Sequence, residues 1–552
     1  MSRGKARRRR VLAEEYSEAP QRRHGSSCGA RRRREIPSKA LGRALTLGAA
    51  LLFALIGLVP IALMLARVGG DDLAAAFHSR TALLLARTLW VGGGSALLAL
   101  ALGMPYGFLV ARTDLPGAGF LRALGLLPLL APPLVLAMTL TVTTGARGGL
   151  AIPLVLGLGT FPLVALYTAR ALERIDGRME EAARLAGGVR ALLLVQLPLA
   201  LPSAAAAACF AFVLAINDFA VPDYVSSIGV KFPVYADEVF ASWRSAKDTG
   251  RAVAAALPIV LLTLLALVPA LRLARGTRLV SLVGDFRRPE PLALGRARPL
   301  ALVFVAAVLA LGVALPVGRL VWEAGGGPRG FGLGNVRAAF ARALELGRSN
   351  LQSSLLYAAG AALLCMPLGL VLGHALARAH RWSRAAGMLV ILPFSVPAIL
   401  FGIGSIALWN RPLTGALYDS GWMAVVLLVG RFAPFAVLAL ASAAAMLDPR
   451  LEEAARLAGA GPLRRLACIV APAILPALLG AGVLVFVLAL RELDAVILVP
   501  AANSMVLFRL YNAVHFGRDD FVAALALLVV FFVVLPGLLH ALFGRRRLEI
   551  LP

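Results

Sequence analysis

The sequence predicts an all-α polytopic membrane protein, with about 12 transmembrane helices in two homologous six-helix halves. Three observations carry that prediction. The 552 residues are 60% apolar and only 15% charged, with a mean hydropathy of +0.82, whereas soluble domains carry about 25% charged residues. Apolar runs long enough for a helix to cross a bilayer, roughly 20 residues, recur along the whole chain. Finally, the block 175–187, Ile-Asp-Gly-Arg-Met-Glu-Glu-Ala-Ala-Arg-Leu-Ala-Gly, returns 272 residues later as 447–459, identical at 10 of 13 positions.

Residues 1–40 hold Arg7 to Arg10 and Arg31 to Arg34 with few apolar residues, the composition of a basic disordered tail. The first apolar run, 41–66, is too long for a signal-peptide core and has no clear cleavage site, so it reads as a retained helix. Further runs at 86–111, 121–143, 149–170, 192–216 and 252–274 complete a first half over 41–275. The Arg-rich stretch 276–298, with Pro289 and Pro291, reads as a linker. A second half over 299–545 has runs at 299–322, 352–376, 385–409, 421–446, 467–490 and 520–543, and a short tail, 546–552, follows.

The net charge of +27 sits mainly in tails and short loops. With the N-terminus inside, an even span count puts both termini on one side, and the inner loops then carry a clear excess of Lys and Arg, as the positive-inside rule requires. The linker and both copies of the repeated block fall on that inner side. No aromatic-rich basic domain is present, which excludes nucleic acid as a partner. Cys28, Cys209, Cys365 and Cys468 are scattered, with neither a disulfide framework nor zinc-ligand spacing; a metal site is left unknown.

The duplication reaches beyond the block. Residues 88–112 align without gaps on 354–378, matching Gly103 and Gly107 to Gly369 and Gly373, and Ala111-Arg112 to Ala377-Arg378. Pro128, Pro132 and Pro162 match Pro393, Pro397 and Pro434. Shared Gly and Pro inside membrane helices predict close crossings and kinks present in both halves. The order of runs is the same in each, so the repeat is parallel, about an axis along the membrane normal.

In the block, Asp448-Pro449 is an N-cap followed by proline at the first helical position, and Asp176-Gly177 takes the same place in the first copy. Glu180, Glu181, Glu452 and Glu453 lie near the helix start, where the dipole favours negative charge. An apolar stripe (Ile175, Met179, Ala182, Leu185; Leu447, Leu451, Ala454, Leu457) is expected to lie on the membrane domain or on a partner. Gly187 and Gly459 are placed to end the helix. An amphipathic helix lying on the membrane surface would explain the periodicity but not the near-identity of the copies.

The block resembles the Glu-Ala-Ala loop of ABC importer permeases, the binding-protein-dependent inner-membrane components. In that pattern a Gly follows the Glu by six residues, and an Ile and a Pro follow later. Glu453, Gly459, Ile469 and Pro472 match it. Glu181 and Gly187 match too, but Pro198 comes two residues early, so a shorter turn is expected after the first helix. The resemblance covers nearly the whole chain outside the tail. It implies a type I importer permease fold in the bacterial inner membrane, with both termini cytoplasmic. It also implies coupling through Glu181, Ala182, Ala183 and Gly187 and through Glu453, Ala454, Ala455 and Gly459 to a separate cytoplasmic ATPase in two copies. A solute-binding protein would deliver substrate from the other side, and lipids surround the chain. No G-x-x-x-x-G-K-[ST] is present, so the expectation is a transport subunit that is not an enzyme and binds no cofactor, ATP being used by the partner.

Fusion of two permease domains in one chain resembles ferric-iron and thiamine permeases, and the segments 217–223 and 491–496 look more like the iron group. Asn217, Asp218 and Asp223, with Arg491, Glu492 and Asp494, follow the fifth span of each half and are expected to line the translocation pathway. Ordinary interface charge, with Arg491 pairing an acidic neighbour, is the alternative. Oxygens of Asp218, Asp223, Tyr224 and Tyr235 would suit ferric ion. Arg431, in mid-span, is expected to face the protein interior, and its counterpart is Gly159. Ferric iron is therefore the expected cargo, with thiamine or another small solute as alternatives. A 12-helix secondary transporter is the alternative of a different class, but the loop 112–122 lacks the Gly-x-x-x-Asp-Arg-x-Gly-Arg-Arg pattern of the major facilitator group.

Overall fold

The computed structural model describes residues 38–70, 79–246, 249–276, 287, 289–328, 330–379, 383–517 and 519–543. The basic tail before residue 38 and linker residues 277–286 lie outside these. Among the described residues nine helices are long and apolar enough to cross a membrane: Ala40–Leu65, Thr81–Arg112, Gly148–Glu173, Gly177–Asn217, Val253–Leu273, Gly295–Gly325, Leu333–Arg378, Trp422–Ala445 and Asp520–Gly537. Three bent pairs, Ala118–Leu130 with Pro133–Thr144, Ala385–Ser395 with Ala398–Trp409, and Pro462–Ala473 with Leu475–Leu490, bring the total to 12 when each counts as one span.

Three of the expected continuous spans, 121–143, 385–409 and 467–490, are thus broken, by 98°, 96° and 84°. The reason is local. Ala131 precedes Pro132 and is extended (φ −63°, ψ 141°), as steric conflict with a following proline ring demands. Pro132 and Pro397 are themselves extended, at ψ 134° and 139°. Three wide π-helical turns, at Ala54–Leu58, Ala310–Ala314 and Leu466–Val470, come just before Pro60, Pro316 and Pro472. At Pro60 and Pro316 the wide turn absorbs the missing N–H and the ring clash without ending the span, whereas the span through Pro472 bends at Ile474. The second span of the second half also runs far past its apolar part. It begins at Leu333 and carries Arg337, Arg342, Glu345 and Arg348 in polar turns that need not be buried.

Repeated glycines set the packing inside each half. A Cβ on Gly103 would lie 2.5 Å from the Phe161 carbonyl oxygen, and one on Gly107 would strike the Ala165 backbone. In the second half a Cβ on Gly373 would lie 2.7 Å from the Val437 carbonyl oxygen, and one on Gly369 would lie 2.9 Å from Ala436 Cβ. These are close small-residue crossings of the kind that hold membrane helices together by backbone contact. The first helix of each half packs across the other half. Gly57, in the first π turn, fits against Pro393 of the second half's broken span, and Gly312, in the second, fits against Pro128 of the first half's. This exchange ties the halves into one body.

With each bent pair counted as one span, Leu185, on the first repeated charged helix, and Leu413, in the loop after Trp409, fall at opposite ends of the bundle, with exposures of 90% and 99%. Single cysteines at these positions, in a chain with its own four cysteines replaced, are expected to react with membrane-impermeant thiol reagents from opposite faces. Labelling of both from the same face would break the span count.

Candidate functional site

The two repeated blocks form short helices at one end of the bundle. Asp176 and Asp448 cap them, each accepting a hydrogen bond from the backbone N–H two residues on, Arg178 at 3.0 Å and Arg450 at 2.9 Å. The helices end differently. Gly459 takes a left-handed conformation (φ +81°), and the N–H groups of Gly459 and Ala460 donate to the carbonyls of Arg456 (3.0 Å) and Ala455 (2.9 Å). That is a closed Schellman turn. In the first copy Gly187 and Gly188 (φ +64°) make a two-residue kink, and the chain continues at once as the fifth span to Asn217.

The two glutamates of each pair do different work, which the sequence reading did not separate. Glu180 is buried (2% exposed); it accepts bonds from Arg112 at 2.5 Å and from Gln196 Nε2 at 2.8 Å. Glu452 takes the same place, accepting from Arg378 at 2.7 and 3.0 Å and meeting His374 Nε2 at 2.8 Å. Burial pushes the Glu452 carboxyl up, but Arg378 and His374 outweigh it and hold the group below the usual carboxylate range. Arg112 and Arg378 are the repeated Ala-Arg ends of the second spans. Each charged helix is therefore clamped to its half by a matching Arg–Glu pair.

Glu181 and Glu453 point outward instead. The expected apolar stripe does not lie on the membrane domain. Ile175 is buried, but Met179, Ala182 and Leu185 are exposed, as are Leu451, Ala454 and Leu457. The clamp explains this rotation, since the buried Glu fixes which face turns inward. Ala183 is consequently buried and Ala455 half-buried, so only one alanine of each pair is offered outward. Leu185 and Leu457, at matching positions, are 90% and 87% exposed.

The polar residues after the fifth spans gather where the halves meet. Asp218 accepts from Val221 N–H (2.9 Å) and Glu492 from Ala495 N–H (2.8 Å), equivalent caps in the two halves. Across the interface Asp494 accepts from Phe219 N–H at 3.0 Å, and Arg491 donates to the Leu129 carbonyl at the first broken span. Arg431, buried at 6%, donates to the Val396 carbonyl at the second break (3.2 Å) and lies 3.7 Å from Glu492. A broken helix at membrane depth needs such donors for its freed carbonyls. Asn217 stays within its half, donating to the Val213 carbonyl and to Thr263 Oγ1. Asp223 stands apart from the others, accepting from Tyr511 Oη at 2.6 Å and pairing with His515 at 3.2 Å.

The expected oxygen ligands for ferric ion do not converge. Tyr224 is fully buried, Tyr235 Oη donates to the Thr81 carbonyl, and the carboxylates are engaged as described. Among the described residues no three of His, Cys, Asp and Glu come together as a metal-ligand set. The sequence reading missed Arg112, Gln196, His374, Arg378, Tyr511 and His515. Only the repeated Ala-Arg pair carried a signal that could have found any of them.

The clamps differ in depth, with Glu180 at 3% side-chain exposure and Glu452 at 13%. Arg112→Ala would strand a buried carboxylate and is expected to cost about 3–5 kcal/mol. Arg378→Ala leaves His374 on Glu452 and should cost about 1–2 kcal/mol. Thermal inactivation of the two variants in detergent checks the order, and equal losses would contradict it.

Comparison with known proteins agrees with this geometry. The family model described as binding-protein-dependent transport system inner membrane component matches twice, over residues 103–279 and 365–549, one match to each half. An ABC transporter permease protein, y4fN, of Sinorhizobium fredii is 26% identical over 438 residues, covering 72% of this chain and 75% of the relative. The molybdenum transport system permease protein ModB of Escherichia coli is 30% identical over 161 residues, covering 26% of this chain and 70% of the relative. A ferric transport system permease protein, FbpB 1, of Haemophilus influenzae is 30% identical over 182 residues, covering 32% of this chain and 28% of the relative. Two permease units in one polypeptide, each with its charged helix clamped outward, make this chain a member of the binding-protein-dependent transport system inner membrane component family, the membrane-spanning subunits of ABC importers.

Proposed function

We propose that the chain forms the complete membrane pathway of an ATP-driven importer for ferric iron, with each charged helix docked on one of two cytoplasmic ATPase subunits. The observation that carries this reading is the matched outward face: Leu185 and Leu457, 90% and 87% exposed, beside Glu181 and Glu453 on helices clamped to the spans. Ala182 and Ala454 keep that face low enough for close approach. Movement of a docked helix would pass through Arg112 or Arg378 into the second span, and from there through the glycine crossings into the rest of its half. The chain carries no nucleotide site of its own in this scheme, so ATP is used by the partner. The docking end faces the cytoplasm, with both termini, in a bacterial inner membrane, and a solute-binding protein meets the opposite end.

For the cargo, three carboxyl groups (Asp218, Glu492, Asp494) and two guanidinium groups (Arg431, Arg491) lie between the halves, and carboxyl oxygens are hard ligands of the kind a ferric ion takes. The ferric transport name of one relative is consistent with this. A second reading, an inorganic oxyanion such as molybdate, is favoured by the burial of Arg431 and by the molybdenum or molybdate/tungstate transport names of five relatives.

Two outcomes test these readings. Glu181→Lys combined with Glu453→Lys is expected to leave the protein inserted, because both sites are exposed, while uptake and ATPase capture fall by at least about tenfold. Normal uptake by the stably inserted double variant would sink the docking reading. In vesicles holding the cognate ATPase and binding protein, radioactive iron is expected to accumulate, and Asp218→Asn with Glu492→Gln should slow it without weakening ATPase capture. Accumulation of molybdate in place of iron would overturn the cargo assignment and leave the importer assignment standing.

A further inference from the structure

The segment that joins the halves is laid along the first charged helix. Leu292 N–H donates to the Arg112 carbonyl at 2.7 Å and Asp114 N–H donates to the Leu292 carbonyl at 3.1 Å, forming a short parallel bridge between Thr113 and Leu292. Leu294 N–H donates to Asp114 Oδ1 at 3.0 Å, and Arg298 pairs with the same carboxylate. Gly177 N–H, in the first turn of the charged helix, donates to the Arg287 carbonyl at 2.9 Å. The Arg112 guanidinium that clamps Glu180 also reaches the carbonyls of Pro289 and Glu290, both at 3.4 Å. Leu292 packs with Ala183 and Leu192 beneath the helix.

On this backbone scaffold the Arg287 guanidinium lies 2.7 Å from Glu181, with side chains 55% and 51% exposed. An exposed pair alone contributes only about 0–1 kcal/mol. Here the neighbouring backbone bonds hold both residues in place, so only side-chain freedom is lost in making it. Among the described residues the second half has no matching strap. Its charged helix follows the span Trp422–Ala445 and closes on its own Schellman turn, and among the described residues nothing pairs with Glu453. The helix surfaces are otherwise alike, with Arg178 and Arg450, Met179 and Leu451, and Leu185 and Leu457 at matching exposed positions.

We propose that the two docking surfaces are unequal. At the first the linker is part of the surface, with Arg287 staying on Glu181 as a positioning pair; at the second Glu453 alone presents a bare carboxylate to the ATPase subunit. This rests on the docking reading above. Both surfaces offer a leucine to an apolar groove of the partner, but only the second asks that groove for a cation or hydrogen-bond donor. An ATPase subunit of one kind placed at both sites would therefore hold the second by an added charged contact and the first by shape and the strap.

The test uses the full importer in vesicles. Glu181→Cys with Arg287→Cys, in a chain lacking its own four cysteines, is joined by a short bis-methanethiosulfonate that a reductant removes. Uptake by the joined form is expected to stay within about twofold of the reduced form. A tenfold fall on joining, restored by reduction, would show that Glu181 must leave Arg287 to dock, and failure to join would show that the strap does not sit there; either overturns the proposal. Alongside, Glu453→Gln is expected to cut uptake by about tenfold and Glu181→Gln by less than about threefold. Glu181→Arg should be rescued by adding Arg287→Glu. Equal losses from the two Gln variants, with no rescue by the charge swap, would sink the inequality alone. Full uptake and ATPase capture in both Gln variants and in the double Lys variant would remove the docking reading, and this inference with it.

Discussion

Each half depends on one ion pair, Arg112 with Glu180 and Arg378 with Glu452. A charged helix at the end of an apolar bundle has little hydrophobic reason to sit in one orientation, because its apolar residues are few and both faces are near water. A buried carboxylate changes that. Once Glu180 is withdrawn from water it needs a cation, and the arginine that ends the second span is the one in reach. The pair fixes the rotation of the helix, and with it the outward direction of Glu181, Ala182 and Leu185. It also joins the helix rigidly to the span whose glycines make the tightest crossings in the half.

The same economy governs the interior. A membrane span can be broken only where something satisfies the carbonyls it frees. Pro132 and Pro397 impose the breaks, and Arg491 and Arg431 answer them. One of these arginines acts across the halves and the other within its own, so the duplicated architecture is held by ties that are not duplicated. Asn217, at the place equivalent to Arg491, bonds inside its half, and Asp494 reaches over to Phe219 with no return partner. The exchanged first helices, with Gly57 on Pro393 and Gly312 on Pro128, are by contrast the same contact made twice. Between the halves, shape complementarity has kept its symmetry while charge has lost it; within each half the Arg–Glu clamp keeps both.

That division separates scaffold from specialised parts. Glycine–backbone and glycine–proline contacts tolerate little change, since any Cβ at Gly107 or Gly373 meets main chain, and they appear in both halves at matching positions. Single charged contacts tolerate replacement as long as the orphaned group finds another partner. His374 in the second half and Gln196 in the first serve equivalent carboxylates from different helices. The linker strap belongs to the second category, a set of contacts available only to a chain in which the halves are fused.

The sequence by itself determined the class, the duplication and the two charged helices. Hydropathy over 20 residues, the 272-residue repeat and helix-capping chemistry are local or periodic signals that survive without any knowledge of packing. It also placed the glycines and prolines that shape the spans, although it read the proline-bearing stretches 121–143, 385–409 and 467–490 as continuous. Only the tertiary structure decided which glutamate of each pair turns inward, because that choice depends on an arginine about 70 residues away in the chain. It alone separated Asp223 from Asp218, dissolved the expected cluster of iron ligands, and laid the linker beside Glu181. Each of these outcomes is set by where buried polar groups find partners, and partners brought together by folding leave no spacing in the sequence to read.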